Sequence, residues 1–332
     1  MSRADAAPAG PLTSDGDEVP RSAAVAWGAC LLSAVLVVGA GVDGTAPAVR
    51  AVMYGGVLLA CGLTLFQLLA HDQEGLAAER ERLRWLILFG AACAALATVA
   101  GLLLQVALAS GKGWLGLFDG GAADVVFGSS SHLAAGQRLI GLMLLAYAAS
   151  RRAEGAAVAA LLGACGVLIT LTSFFGAGHT ATREPRTVGY ALDLVHTTTA
   201  AIWAGGLVGL AVVLHHRRPH DAPGAATIVR RFSLAASGSV TLLLATGFGL
   251  SWAELGPSGG VPFNGYGLVL LAKAGLAVAT LAIGAVNHFV VVPSVEAGSE
   301  DAWTTLTRTL RFELAALVGL VALTGVLTGL NP

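Results

Sequence analysis

Arg138, Asp193, His196 and Lys273 stand inside long apolar runs of this chain. Asp193 and His196 are spaced i, i+3, which places both on one face of a helix. The segment Gly176-Ala177-Gly178-His179 closes the apolar run before them, and His132 opens an earlier one. If the two adjacent helices form a hairpin, His179 overhangs the Asp193–His196 face, and His132 can join it. Three imidazoles and one carboxylate in one vestibule suit Cu(II), or Zn. A lone histidine more often caps a helix or bonds a neighbour. Inside a bilayer, however, ionisable groups are costly and mark a site or a pathway. His179, His196, Asp193 and His132 are therefore the candidate metal ligands.

Arg138 and Lys273 each need a partner, because an uncompensated intramembrane charge costs at least ~2.5–3.5 kcal/mol on insertion scales. Asp193 and Glu254 are the acids available on their side, and the bland reading is a structural ion pair or a snorkelling chain. Glu313 is expected to pair with Arg311 or Arg308. Two histidines at similar depth on facing helices also suit haem b, through His179 with His196 or His132 with His196. No CxxCH motif is present, so covalent haem attachment is excluded. His215-His216-x3-His220 lies among Arg217, Arg218, Pro219 and Asp221 and reads as a solvated loop. Cys30, Cys61, Cys93 and Cys165 fall in apolar runs without CxxC spacing and read as packing residues, not a disulfide framework. There is no Walker motif to support ATP drive, and no catalytic constellation, so no enzyme is expected.

The elements that must position these residues follow from composition. Of 332 residues, 55% are hydrophobic and 12% charged, with a net charge of −1. Soluble domains carry about 25% charge. Mean hydropathy is +0.76. A disordered chain, a coiled coil and a nucleic-acid binder working by bulk positive charge are excluded. The fold class is all-α, a polytopic transmembrane bundle in a lipid bilayer. A span needs about 20 mostly apolar residues, and nine stretches qualify: 22–42, 50–70, 85–109, 132–150, 155–176, 189–214, 232–253, 266–292 and 311–330. Residues 1–21 read as a disordered tail, and 22–331 as one transmembrane domain. The first span is expected to be retained, because the acidic leader does not resemble a signal peptide.

Basic residues orient the bundle. Arg80, Arg82, Arg84, Arg151, Arg152, Arg217, Arg218, Arg230, Arg231, Arg308 and Arg311 fall on one side, eleven in all. Arg3, Arg21, Arg50, Lys112, Arg183 and Arg186 fall on the other, which makes six. The richer side is expected to be cytoplasmic, with both termini outside. His132, His179 and His196 then lie toward the outer face, His196 about 10 Å below it at 1.5 Å per residue. The longer outer loops are expected at 110–131, 177–188 and 254–265.

The segments GAGHT at 176–180 and DLVHTTTAAIWAGGL at 193–207 resemble the copper resistance protein D (CopD) family. The resemblance continues through Arg230-Arg231-Phe232-Ser233, Thr246-Gly247, Tyr266-Gly267, Leu271-Ala272-Lys273 and Gly284-Ala285-Val286-Asn287. It ends with Arg308-x-x-Arg311-x-Glu313 and the terminal Leu-Thr-Gly-Leu-Asn-Pro, and upstream it includes Phe127-Gly128 and Gln137-Arg138-Leu139. It covers about 124–331, helices four to nine, while 22–110 agrees in hydropathy alone. The resemblance implies a bacterial inner-membrane protein of copper homeostasis, moving copper ions with His179 and His196 at the metal. With only three methionines, a soft Cu(I) relay through Met-rich outer segments is not expected. A separate periplasmic or extracellular copper-binding donor is. A more distant likeness to the HemJ type of protoporphyrinogen oxidase keeps a haem-binding redox protein as the alternative. A copper-delivery scaffold without transport is the third.

Overall fold

The computed structural model describes residues 42–70, 77–151, 156–176, 186–215, 223–255 and 264–330. The predicted span 22–42 lies outside the described residues except for its last position. Among the described residues there are helices and no strand. We number the α-helices α1 (Val42–Leu69), α2 (Ala77–Ser110), α3 (Gly120–Phe127), α4 (Ser130–Ser150), α5 (Ala156–Thr172), α6 (Arg186–His215), α7 (Pro223–Leu255), α8 (Gly265–Val286), α9 (Val292–Glu296) and α10 (Glu300–Leu327). A 3-10 turn follows α5 at Ser173–Gly176, and a π-helical turn joins α8 to α9 at Asn287–Val291. Eight helical stretches are long and apolar enough to cross a membrane, α8 and α9 forming one of them.

The helices run further than hydropathy alone marks. The helix expected to start at 85 begins at Ala77, and the one expected at 311 begins at Glu300. In both cases the added turns are charged, so a hydropathy window misses them although the backbone ladder continues. Ser299 caps α10 by accepting from the Ala302 amide, with Glu300 and Asp301 in the first turn where the helix dipole favours anions. The stretch 110–131 is not a plain loop. It holds a 3-10 turn at Gly113–Phe118 and then α3. Asp119 caps α3 through the Ala122 amide and takes Lys112 Nζ at 2.7 Å. That pairing holds the Asp119 carboxyl below its usual range and the Lys112 ammonium above its own.

Helix α6 is the hub. Its window is the most deeply buried of the eight, and its glycines explain why. A Cβ at Gly62 of α1 would lie 2.8 Å from Gly205 Cα and would strike the Ala201 carbonyl. A Cβ at Gly205 would strike the Gly62 backbone in return. The two helices therefore touch backbone to backbone, as small residues allow where helices pack in lipid. Gly206 and Gly209 receive the rings of Phe232 and Phe66. By contrast, α8 buries little of its surface in the bundle. Its outward Leu268, Leu271 and Val278, with Phe289 of the turn that follows, suit contact with hydrocarbon.

Arg231 of α7 donates to the Leu69 carbonyl at the end of α1, Arg230 faces Glu296, and Arg50 at the start of α1 meets Gly325 near the end of α10. With successive spans alternating in direction, Arg80, Arg82, Arg84, Arg151, Arg230, Arg231, Arg308 and Arg311 fall at one end, called here the basic end. Eight crossings leave Val42 and Leu327 together at the opposite end. This corrects the expected topology. An odd number of crossings cannot leave both termini on one side, so a ninth span over 22–42 would carry the N-terminus to the basic side. Arg3 and Arg21 then move with it, and the asymmetry sharpens from eleven against six to thirteen against four.

Candidate metal centre

His196 lies ten residues into α6, in the half of the bundle away from the basic end. Its ring reaches across to α7, where Nδ1 is 3.1 Å from Thr246 Oγ1. Thr246 is buried and donates its single hydroxyl hydrogen to the Leu242 carbonyl at 2.6 Å. Thr246 can then only accept from His196, so the imidazole is held with the hydrogen on Nδ1. Nε2 keeps its free lone pair, which is the arrangement a metal-ligating histidine needs. Gly247, the next residue, lets the ring lie against α7, since a Cβ there would come within 3.3 Å of His196 Cε1.

Asp193 sits one turn nearer the end of α6 and is half-buried. Its carboxylate has no hydrogen-bond or ion-pair partner among the described residues, and Tyr54 of α1 is within electrostatic reach. Lys273 of α8 approaches His196 closely enough to interact electrostatically. It has no carboxylate partner among the described residues. Glu254 stands at the end of α7.

Arg138 is buried, but not in the expected ion pair. Its Nε donates to Ser173 Oγ at 3.1 Å, its Nη1 lies 2.9 Å from Met53 Sδ, and its guanidinium sits 4.5 Å over the Phe174 ring. Phe174 in turn stacks on Tyr54 at 5.5 Å. A delocalised, weakly hydrated guanidinium tolerates aromatic and sulfur neighbours where an ammonium would not. Sequence spacing gave no hint of this, because the partners come from α1 and the turn after α5. Tyr54 interacts electrostatically with both Arg138 and Asp193, so it links the two.

His132 stands at the start of α4, where its Nδ1 donates to the Ser129 carbonyl at 2.5 Å and its ring tilts against Phe127 at 6.4 Å. This is a local cap, with Nε2 left over. His179 lies outside the described residues, as do His216 and His220. Among the described residues, no group of three or more His, Cys, Asp or Glu side chains is gathered as a metal cage. What the bundle does bring together is His196, Thr246 and Lys273 on one side of α6, with Asp193, Tyr54 and Arg138 beside them.

Glu313 also departs from expectation. It is buried and bonds Asn287 at the π-helical turn, not Arg308 or Arg311, which are exposed. A basic neighbour in sequence was the natural guess, but α10 turns its arginines outward and Glu313 inward. Asn264 caps α8 through the Gly267 amide. Cys61, Cys93 and Cys165 are free thiols.

Two family models match the chain in order. Copper resistance protein D-like, N-terminal domain, matches residues 41–190, and Copper resistance protein D matches 226–327. The chain is 33% identical over 154 residues to the Copper transport protein CutJ of Bacillus subtilis (strain 168). That match spans 46% of this chain and 27% of the relative, so the chain accounts for about a quarter of that protein's length. No solved structure matches it. The two models together take in seven of the eight spans and most of α6's partners; the chain belongs to the copper resistance protein D family, multi-pass membrane proteins with a copper-related function.

Proposed function

We propose that this chain is a copper-ion permease of the bacterial plasma membrane, with its basic end in the cytoplasm. The ion is taken at the opposite, outer end by His196, with His179, Asp193 and His132 as the further candidate ligands. The observation that carries this reading is the hydrogen bond of His196 Nδ1 with a Thr246 hydroxyl that donates to Leu242, an arrangement that leaves Nε2 for a ligand. Family membership supplies the metal, and the name of the CutJ relative supports transport. Asp193 supplies negative charge beside His196, and Lys273 limits how much positive charge the site holds. The protein carries out no covalent chemistry and uses no ATP of its own. It receives copper from a separate donor on the outer side.

The test is copper binding and uptake by purified protein. Wild type is expected to bind copper at neutral pH and to move it into proteoliposomes. His179→Ala combined with His196→Ala is expected to lose binding. Unchanged stoichiometry and affinity in that double variant would sink the site. Binding without uptake would favour a delivery scaffold, and a Soret band lost with His196 would favour haem.

Thr246→Val tests the ring's support. It is nearly isosteric, keeps α7 packed and removes the acceptor for Nδ1–H. Metal affinity is expected to fall about 10–100-fold, the usual effect of losing such a partner, with the protein still monodisperse. Isothermal titration with copper measures it, and an unchanged affinity would show that the ring is held by packing alone.

A further inference from the structure

A second polar cluster lies toward the basic end, where α8 loosens into its π-helical turn. Asn287 opens that turn and is buried. Its Nδ2 is 2.6 Å from Glu313 Oε1, and its Oδ1 is 2.8 Å from Thr309 Oγ1. Glu313 is only 5% exposed and occupies the middle of α10. One residue further along the turn, His288 Nδ1 meets Ser233 Oγ of α7 at 2.7 Å. Single π-helical turns inside α-helices recur at functional sites.

The charge balance around Glu313 is the informative part. Arg308 and Arg311 on α10 are exposed. Arg50 of α1 donates to the Gly325 carbonyl, twelve residues or ~18 Å along α10. Lys273 lies fourteen residues, ~21 Å, from Asn287 along α8. Glu296 of α9 faces Arg230 at 4.0 Å. The other titratable side chains described on α10 and on the elements packed against it are Glu300 and Asp301 of α10, Arg186, Tyr190, Asp193, His196 and His215 of α6, Tyr54 and Cys61 of α1, and Tyr266 of α8. None of these groups touches the carboxyl, whose one hydrogen-bond partner among the described residues is a neutral amide. A buried carboxylate with no cation beside it is far less stable than the neutral acid.

Asn287 and Thr309 suit both forms. With Glu313 ionised, the amide donates to it and Thr309 donates to the amide oxygen. With Glu313 protonated, the acid donates to the amide oxygen once the amide is turned over. The amide nitrogen then donates to Thr309, which donates to the Leu306 carbonyl 3.0 Å away. No polar group is orphaned in either state. A structural carboxylate needs only one such arrangement.

We propose that Asn287, Thr309 and Glu313 form a proton-binding site in the inner half of the bundle, occupied by a proton at rest and releasing it as a metal cation passes. The inference builds on the permease reading and supplies its coupling ion. One proton leaves Glu313 for the aqueous phase as positive charge arrives, and one returns when the cation has gone. The membrane core thus never holds the bare carboxylate alone.

The purified chain, wild type and Glu313→Gln, is tested in two arms. The first compares infrared spectra at neutral pH without metal. A protonated-carboxyl C=O stretch that shifts in D2O is expected in wild type and missing in Glu313→Gln. Identical spectra in that region overturn the proposal, whatever the protein transports. If Glu313→Gln does not fold, Asn287→Leu replaces it, and the band is expected to move in frequency as the acid loses its acceptor. An unmoved band overturns the proposal. The second arm uses proteoliposomes with an internal pH dye and an imposed copper gradient. Wild type is expected to move protons as copper crosses, and Glu313→Gln to lose the proton signal. Copper flux without proton movement in wild type overturns the proposal and leaves the permease standing. Absence of any copper flux sinks the permease, and the infrared arm then decides the proton site by itself.

Discussion

Gly205→Ala is expected to leave little folded protein in the membrane. The added methyl group of the variant has nowhere to go, because it meets the Gly62 backbone of α1 and not the mobile end of a side chain. No rotamer relieves a Cβ collision, so α1 and α6 must separate along their whole contact. Overpacking of a side-chain core costs about 1–3 kcal/mol, and a backbone clash belongs at or above the top of that range. Against total stabilities of about 5–15 kcal/mol, such a loss shows as poor expression and a falling fraction of monodisperse protein in detergent. Gly62→Ala is expected to behave alike, since its methyl would strike the Ala201 carbonyl. Gly275→Ala and Gly284→Ala on α8 are the controls. Nothing lies within 4 Å of a Cβ at either position, so both are expected to be neutral or mildly stabilising. Size-exclusion profiles of the four variants check the contrast. Equal behaviour of Gly205→Ala and Gly275→Ala would refute the hub role of α6.

Acidification is the second large effect. A proton and a metal ion compete for the same Nε2 lone pair, so copper affinity at His196 is full while the imidazole is neutral. It is lost once pH falls far enough for a proton to take that lone pair. Once the ligand imidazoles of the metal-free protein are protonated, each further pH unit is expected to weaken binding about tenfold per histidine ligand, hence about a hundredfold when His179 shares the ion. The sign is fixed by the tautomer: protonation adds its hydrogen at Nε2, the one nitrogen not already committed to Thr246. Equilibrium dialysis with copper from pH 7.5 down to about 4 (well below the ordinary imidazole value) measures the slope. A flat profile would assign the ion to groups other than imidazoles.

Much of the bundle was legible in the residues. Spans show as apolar runs because lipid admits only internally bonded backbone, and eight of the nine expected stretches coincide with helices among the described residues. Arg138, Asp193, His196 and Lys273 announced themselves as rare charges in those runs. Helix ends were less visible, because the charged first turns of α2 and α10 carry no hydropathy signal. Partners were the least visible. The carboxylate expected beside Arg138 proved to be Phe174, Ser173 and Met53, and the arginine expected beside Glu313 proved to be Asn287. Thr246 and Asn287 each sat inside a motif carried by the family resemblance, yet nothing in a one-dimensional pattern says that one faces a histidine and the other a glutamate.

By itself, then, the sequence determined the solvent and the scale of the problem: a lipid-embedded, all-helical chain with a basic face and a handful of intramembrane ionisable groups. Hydrophobicity and charge are properties of residues, and they survive being read one position at a time. The tertiary structure decided which of those groups meet. Close backbone contacts, Gly62 with Gly205 between α1 and α6 and Gly325 with Pro47 and Ala51 between α10 and α1, set how those helices are turned, and in the packed bundle His196 faces Thr246 and Glu313 faces Asn287. Hydrogen bonds reach only about 3 Å, so a pairing between helices depends on a packing geometry that no single segment contains.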